Sequence, residues 1–245
     1  MSSRFGRRAI SLLALTSLAS VGAIAGSMSV GAQRTPLRLE EATAIVEVNS
    51  TDGDAGIQLF LDGEEWRSMR VIGPRGEDIG ELLEIDANGR LETQGLTELF
   101  MESSEPGFDE FPLWKFKRRF PEGRYLFRGT TIEGRELVGS AILSHDIPNG
   151  ADIASPAEGA TVIANNAVLS WAPGNQPADV DIVAYRAIVE REDPLRLFSV
   201  DLPASVTSVT VSPEFLESGV EYKFELQAIE ASGNITTSEV TFTVQ

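Results

Sequence analysis

The stretch 216–233 constrains the fold more than any other part of the chain. Tyr222, Phe224, Leu226 and Ala228 alternate with Lys223, Glu225 and Gln227, so a strand there has one apolar and one polar face. The lead-in Leu216-x-x-Gly219-x-x-Tyr222 puts a tyrosine at the entry to that strand. Its hydroxyl can tie the preceding loop back to the backbone at the corner of a β-sandwich. This commits the C-terminal third to packed sheets and leaves the ligand unspecified.

The rest of the chain reads as short apolar strands broken by turn signals. In the first half these are 44–48, 56–61 (Ile57, Leu59 and Leu61 alternating), 66–72, 82–85 and 98–102. Asp62-Gly63 predicts a tight hairpin turn. Gly73-Pro74-Arg75-Gly76 and Asp86-Ala87-Asn88-Gly89 predict two more. One segment breaks the pattern. Leu113, Phe116 and Phe120 recur at helical spacing, with Pro112 before them and Pro121 after, which predicts a short helix near 112–120. Strands at 124–128 and 137–144 follow. A Pro- and Gly-containing stretch, 148–156, predicts a linker. Seven short strands then fall near 161 and at 167–171, 182–190, 197–202, 208–211, 221–229 and 239–244, the count of one sandwich. The expected fold class is all-β, with two β-sandwich domains in tandem. The first, 42–147, is immunoglobulin-like with a short helical insertion, and the second spans 157–245.

The N-terminus sets an expected location. Arg4, Arg7 and Arg8 precede an apolar run over 9–25, and Ala23-Ile24-Ala25 and Val30-Gly31-Ala32 are small-residue cleavage sites. This is the pattern of a secretory signal peptide, 1–32, with an uncleaved membrane anchor as the competing reading. Residues 33–41 read as a flexible mature N-terminus. The expectation is a secreted or periplasmic protein with no membrane insertion after signal removal. The chain carries 37 acidic and 20 basic residues, a net charge of −17. A polyanion of this kind is repelled by nucleic acid, which excludes it as a partner. There is no cysteine, so stability comes from burial without disulfides, and a lipoprotein anchor, a cysteine nucleophile and a cysteine zinc site are all excluded.

Several segments together resemble a fibronectin type III domain: Val168-Leu169-Ser170-Trp171, Ile182-Val183-Ala184-Tyr185, the Leu216 to Tyr222 corner, Ala228, and Ala231-x-Gly233-Asn234. The resemblance covers about 40% of the chain. It implies a seven-stranded sandwich with Trp171, Tyr185 and Tyr222 in its core, used for spacing, binding or adhesion, and it carries no catalytic residues. Arg-Gly-Asp is absent, so an integrin-binding loop is not implied. The whole chain looks like small exported bacterial proteins that end in such a domain.

Candidate sites are few. Lys115, Lys117, Arg118 and Arg119 form a basic cluster in an acidic chain, able to meet an anionic ligand or to serve as the wet face of the short helix. Arg124 and Arg128 could extend it. Trp114, off the apolar stripe of that helix, and Trp66 are the aromatics that could stack on a sugar ring. Asp52 and Asp54, as Asp-x-Asp in a loop, could supply two oxygens to calcium, the one cofactor considered, though Gly63 and Glu64 do not complete a helix-loop-helix site. Asp179 and Asp181 form a similar loop pair. His145, the only histidine, has no recognisable triad context. No phosphate-binding glycine motif or Gly-x-Ser-x-Gly occurs, and a glycosidase carboxylate pair cannot be singled out. The expected function is non-enzymatic binding or scaffolding through protein–protein contacts on sandwich surfaces. The expected partner is a protein or glycan of the cell envelope or exterior. A carbohydrate-binding protein is the alternative, and a hydrolase with an unrecognised carboxylate pair is the weaker one.

Overall fold

The computed structural model describes residues 35–74 and 80–245. The expected signal peptide and part of the Gly73 to Gly76 turn lie outside the described residues. The first half contains β1 (Leu37–Arg38), β2 (Glu41–Asn49), β3 (Asp54–Ile72), β4 (Glu81–Asp86), α1 (Arg90–Gln94), β5 (Leu96–Glu102), α2 (Leu113–Arg119), β6 (Gly123–Thr131) and β7 (Glu136–Leu143). The second half contains β8 (Asp152–Ser155), β9 (Ala160–Val162), β10 (Val168–Ala172), β11 (Ile182–Arg191), β12 (Arg196–Pro203), β13 (Ser208–Thr210), β14 (Glu221–Glu230) and β15 (Ile235–Val244). No described helix is long and apolar enough to cross a membrane.

The second half is the fibronectin type III-like sandwich. One sheet has the order β13-β10-β8, and β12-β11-β14-β15 form the facing one. Trp171, Tyr185, Tyr222, Phe224, Leu226 and Phe242 are all buried between them. Burying each such side chain contributes about 1.5–3 kcal/mol, which is how a cystine-free chain holds this shape. The tyrosine corner closes as the sequence predicts. The Glu217 amide donates to Tyr222 Oη at 2.9 Å, and the hydroxyl donates to the Phe215 carbonyl at 3.3 Å. Residues 152–155, within the stretch read as linker, are strand β8, because they pair with β10.

The first half is also two-layered, and β3 serves both layers. Its residues 54–62 pair with β2 and β5, while 66–72 pair with β4 and β6. The predicted Asp62-Gly63 hairpin is therefore a bend inside one strand. A Cβ on Gly63 would lie 2.9 Å from Leu39 Cδ2, so the bare glycine lets Leu39 pack on the backbone. The flanking backbone keeps partners on both sides: Glu40 donates to Asp62 at 2.9 Å and Ile132 donates to Glu65 at 3.0 Å. With backbone partners on either side of Gly63, the chain runs on through the bend rather than turning back. The predicted turn at 86–89 leads instead into the single turn of α1. Residues 37–38, read as flexible, form β1 parallel to β7, because Leu37 and Leu39 pack against the core. That core is built from Val46, Ile57, Leu59, Trp66, Tyr125, Phe127 and Leu137, with α2 adding Phe116.

The two halves share one sheet. Residues 235–237 of β15 pair in parallel with 47–49 of β2, so twelve strands are continuous. The last strand thus starts at 235 rather than 239. Its first residues, Ile235-Thr236-Thr237-Ser238, show no apolar alternation because they have partners on both edges and are buried among polar groups. Asn234, fully buried, fastens this seam. Its Oδ1 accepts from the Val46 amide at 2.8 Å. Its Nδ2 lies 3.1 Å from the Ser144 carbonyl, Ser144 Oγ and the Asp146 carbonyl. Ser50 Oγ adds a bond to the Thr237 carbonyl at 2.8 Å.

Candidate functional site

Helix α2 gathers the basic residues predicted from the sequence. Phe116 anchors it at 2% exposure and touches Phe120, with ring centroids 4.9 Å apart. The anchored face leaves Trp114, Lys115, Arg118 and Arg119 exposed and Lys117 half-buried. Trp114 is 58% exposed, and Lys115 Nζ lies 5.6 Å from its ring centre. The Arg119 guanidinium sits 4.6 Å from the Phe111 ring. Among the described residues none of the four cations makes an ion pair, so their charge is available to an anion. Cations in the last turn also suit the negative end of the helix dipole. Trp66, by contrast, is fully buried and offers no ring to a sugar.

The basic residues do not form one surface. Lys117 lines a cleft of about 630 Å³ at the junction of the halves, with Val48, Phe108, Leu113, Ile147 and Val180. His145, Asp146 and Asp179 line the same cleft. The structure thus brings together Lys117, His145 and Asp179, which the sequence holds far apart. His145 is tethered there: its Nε2 donates to the Phe120 carbonyl at 2.8 Å and its amide donates to Glu122 Oε1 at 2.7 Å. Arg124 and Arg128 line a different groove with Pro74 and Leu126.

Asp52 and Asp54 part company. Asp52 is exposed in the turn, whose amides at Thr51 and Asp52 donate to Asn49 Oδ1 at 2.9 and 3.0 Å. Asp54 is buried at the start of β3, bridged to Gly107. The three carboxylates that converge among the described residues are instead Glu47, Glu102 and Glu105. They belong to an acidic stripe crossing the seam on the sheet face opposite the second core. Glu190, Glu225 and Glu239 continue it, with Lys223 bonded to Glu225 and 4.0 Å from Glu239. Burial, then the neighbouring Glu105 and Glu102 carboxylates, push the Glu47 carboxyl up to about 8. Desolvation also raises Glu190 and Glu239.

Sequence reasoning missed this cluster, and the available signal was slight. Glu47 is one carboxylate in a strand with buried residues on both faces, where an acid has no solvent to face. It also missed a second tyrosine corner. Tyr125 Oη donates to the Pro121 carbonyl at 3.0 Å, and Gly123 two residues before it was the cue.

No family model matches the chain, and no curated protein matches it. Solved structures similar to it include the FN1–FN3 domains of chicken CNTN1, at 11% identity and a TM-score of 0.32 over 86% of this chain and 66% of that one. A tetra-tandem repeat from the extending region of a large adhesion protein gives 12% and 0.29 over 84% and 50%. Tp47, the 47-kilodalton lipoprotein of Treponema pallidum, gives 13% and 0.41 over 87% and 52%. The chain spans between half and two thirds of the length of these structures, and none of them assigns a role to a residue here.

Proposed function

We propose that this chain is an exported, non-enzymatic binding or scaffolding protein whose contact surface is the exposed face of α2. The observation that carries the reading is local. In a chain of net charge −17, Lys115, Arg118 and Arg119 stand exposed beside a 58% exposed tryptophan, on a helix pinned by a buried phenylalanine. An aromatic anchor with arginines around it is the composition of a binding hot spot. Its chemistry suits an acidic surface, either a protein or an acidic glycan of the cell envelope or exterior. Export rests on the N-terminal sequence 1–32, and sequencing the N-terminus of the mature protein tests it.

The contact is tested by placing a photo-crosslinking amino acid at Trp114 and, as a control, at Leu91, which is also exposed. A discrete adduct from position 114, lost when Lys115, Arg118 and Arg119 are changed to glutamate, supports the reading. Equal labelling from both positions refutes it. An acidic-glycan array probed with wild type and Trp114→Ala separates the carbohydrate alternative, which requires binding that the substitution removes.

A further inference from the structure

The seam buries an acid without an opposing charge. Glu47 is 5% exposed and belongs to the first of the ladder pairs that join β2 to β15. Three neutral groups donate to it. Gln58 Nε2 reaches Oε2, while Thr237 Oγ1 at 3.1 Å and Gln227 Nε2 at 3.4 Å reach Oε1. Thr237 and Gln227 come from β15 and β14, so this one carboxyl is bonded to both halves.

Two more carboxylates converge on it. Gln58 Nε2 also donates to Glu102 Oε1 at 2.9 Å, so one amide bridges two acids. Glu105 is admitted by a missing side chain. Gly56 is the ladder partner of Glu47, and cross-strand partners share a face. A Cβ on Gly56 would lie 3.0 Å from both Cγ and Oε1 of Glu105, so the bare glycine gives Glu105 its place beside Glu47. One oxygen from each of the three carboxyls lies within 4.8 Å of the other two. The remaining charges on this face do not balance them. Asp54 shares it by pairing with Asn49, Glu225 pairs with Glu239 across β14 and β15, Glu190 joins from β11 opposite Lys223, and Asp52 adds its charge near Glu239. Of the cations, Lys223 is engaged with Glu225 and Glu239, and Arg186 with Asp201. Like charges this close in a buried setting do not all ionise together, so the group keeps a proton among its members.

We propose that the cluster of Glu47, Glu102 and Glu105 retains a proton in the folded chain, and that release of this proton loosens the β2–β15 seam, making the joint between the halves a pH-sensitive latch. With the proton in place, the Glu47 carboxyl still accepts from Thr237 and Gln227 and opposes its two neighbours with one charge fewer. Once it is lost, the repulsion is relieved when the seam opens and water reaches Glu47. Burial, then Glu105 and Glu102, push the Glu47 carboxyl from 4.5 up to about 8. Below 4.5 the closed and open seams are both protonated and closure is strongest. Between 4.5 and about 8 only the closed seam holds the proton, so closure weakens as pH rises through that window.

Two measurements on the full chain test this. Carbon-13 NMR of the glutamate carboxyls, with Glu47 assigned through its bonds to the backbone, should show a midpoint near 8. Glu105→Gln, which removes a neighbouring charge, should move that midpoint down. Hydrogen exchange at the amides of 45–49 and 235–239, corrected for the intrinsic rate, reads the seam itself. Its opening constant should rise by up to about tenfold per pH unit between about pH 5 and 8 and level off above. Glu47→Gln, neutral at every pH, should lose most of that rise, with a remainder from Glu190 and Glu239, which burial raises in the same direction. A Glu47 midpoint in the ordinary range of about 4–5 overturns the proposal. So does a midpoint that Glu105→Gln leaves in place, flat seam exchange in wild type, or a rise of undiminished size in Glu47→Gln. If Glu47→Gln does not fold, the wild-type titration, the wild-type exchange and Glu105→Gln still decide the matter.

Discussion

Replacing Asn234 with alanine probes the seam directly. The side chain is wholly buried, takes one amide proton from Val46 and offers its own amide to Ser144 and Asp146. Truncation strands the Val46 N–H, a buried donor, at a cost of about 1–3 kcal/mol, and forfeits roughly 1 kcal/mol more from the Nδ2 bonds. The expected loss is about 3 kcal/mol, a large share of the 5–15 kcal/mol typical of a folded protein. For an ordered region of this size, Tm should fall by about 6–12 °C. Location makes the prediction sharper than a generic loss. Asn234 ties β15 of the second core to β2 of the first, so the variant should also uncouple the halves. Differential scanning calorimetry reads this as a single transition in wild type, with calorimetric and van't Hoff enthalpies equal, and as two transitions in Asn234→Ala. A loss below about 1 kcal/mol with one retained transition would show that the seam is not held by this residue.

The two tyrosine corners give further tests. Tyr222→Phe removes an acceptor for Glu217 and a donor to Phe215, and urea denaturation should show a loss of about 1–2 kcal/mol with unchanged m-value. Tyr125 carries a pH prediction. Burial pushes its phenol from 10.0 up to about 12. Below pH 10 both folded and unfolded states keep the proton and the stabilisation is full. Between 10 and 12 only the unfolded state releases it, so stability falls as pH rises through that window. Tyr125→Phe should flatten the alkaline fall in Tm. A residual slope is expected from Tyr185, which burial raises in the same direction.

The second sandwich was legible in the sequence because its signals are local. Tyr222, Phe224, Leu226 and Ala228 all face one core, so period-two alternation reports the true inside. The corner motif names its own hydrogen bond. In the first half the same rules misread Asp62-Gly63, since a dipeptide reports the preference for a turn and not the strands waiting on either side of it. The helix at 113–119 was readable from Leu113, Phe116 and Phe120, and with it the basic face. Neither the junction cleft nor the carboxylate cluster was readable. Glu47 reaches Gln227 across 180 residues, and such proximity follows from the parallel β15–β2 pairing, which no local pattern encodes. Asn234 entered the sequence reading only as the end of the Ala231-x-Gly233-Asn234 segment, which is the turn connecting β14 to β15. Its second role, reaching Val46 188 residues away, depends on where that turn lands.

The seam also explains why the two candidate surfaces belong to one design. A cystine-free chain with two cores joined by a short connection would ordinarily let them move relative to each other. Here three ladder pairs between β15 and β2 are reinforced by the buried side chains of Asn234, Thr236 and Thr237. Parallel pairing places the polar faces of both halves side by side, and the outcome is an acidic stripe too long for one lysine to balance. The cleft beside α2 is lined by Leu113 and Lys117 of the helix and by residues 145–150, so its geometry is set by the same fastening. A perturbation of the seam should therefore reach both surfaces. Asn234→Ala should loosen the cleft walls at His145 and Asp146. A change such as Trp114→Ala, made on an exposed ring, should leave the melting of the seam unaltered.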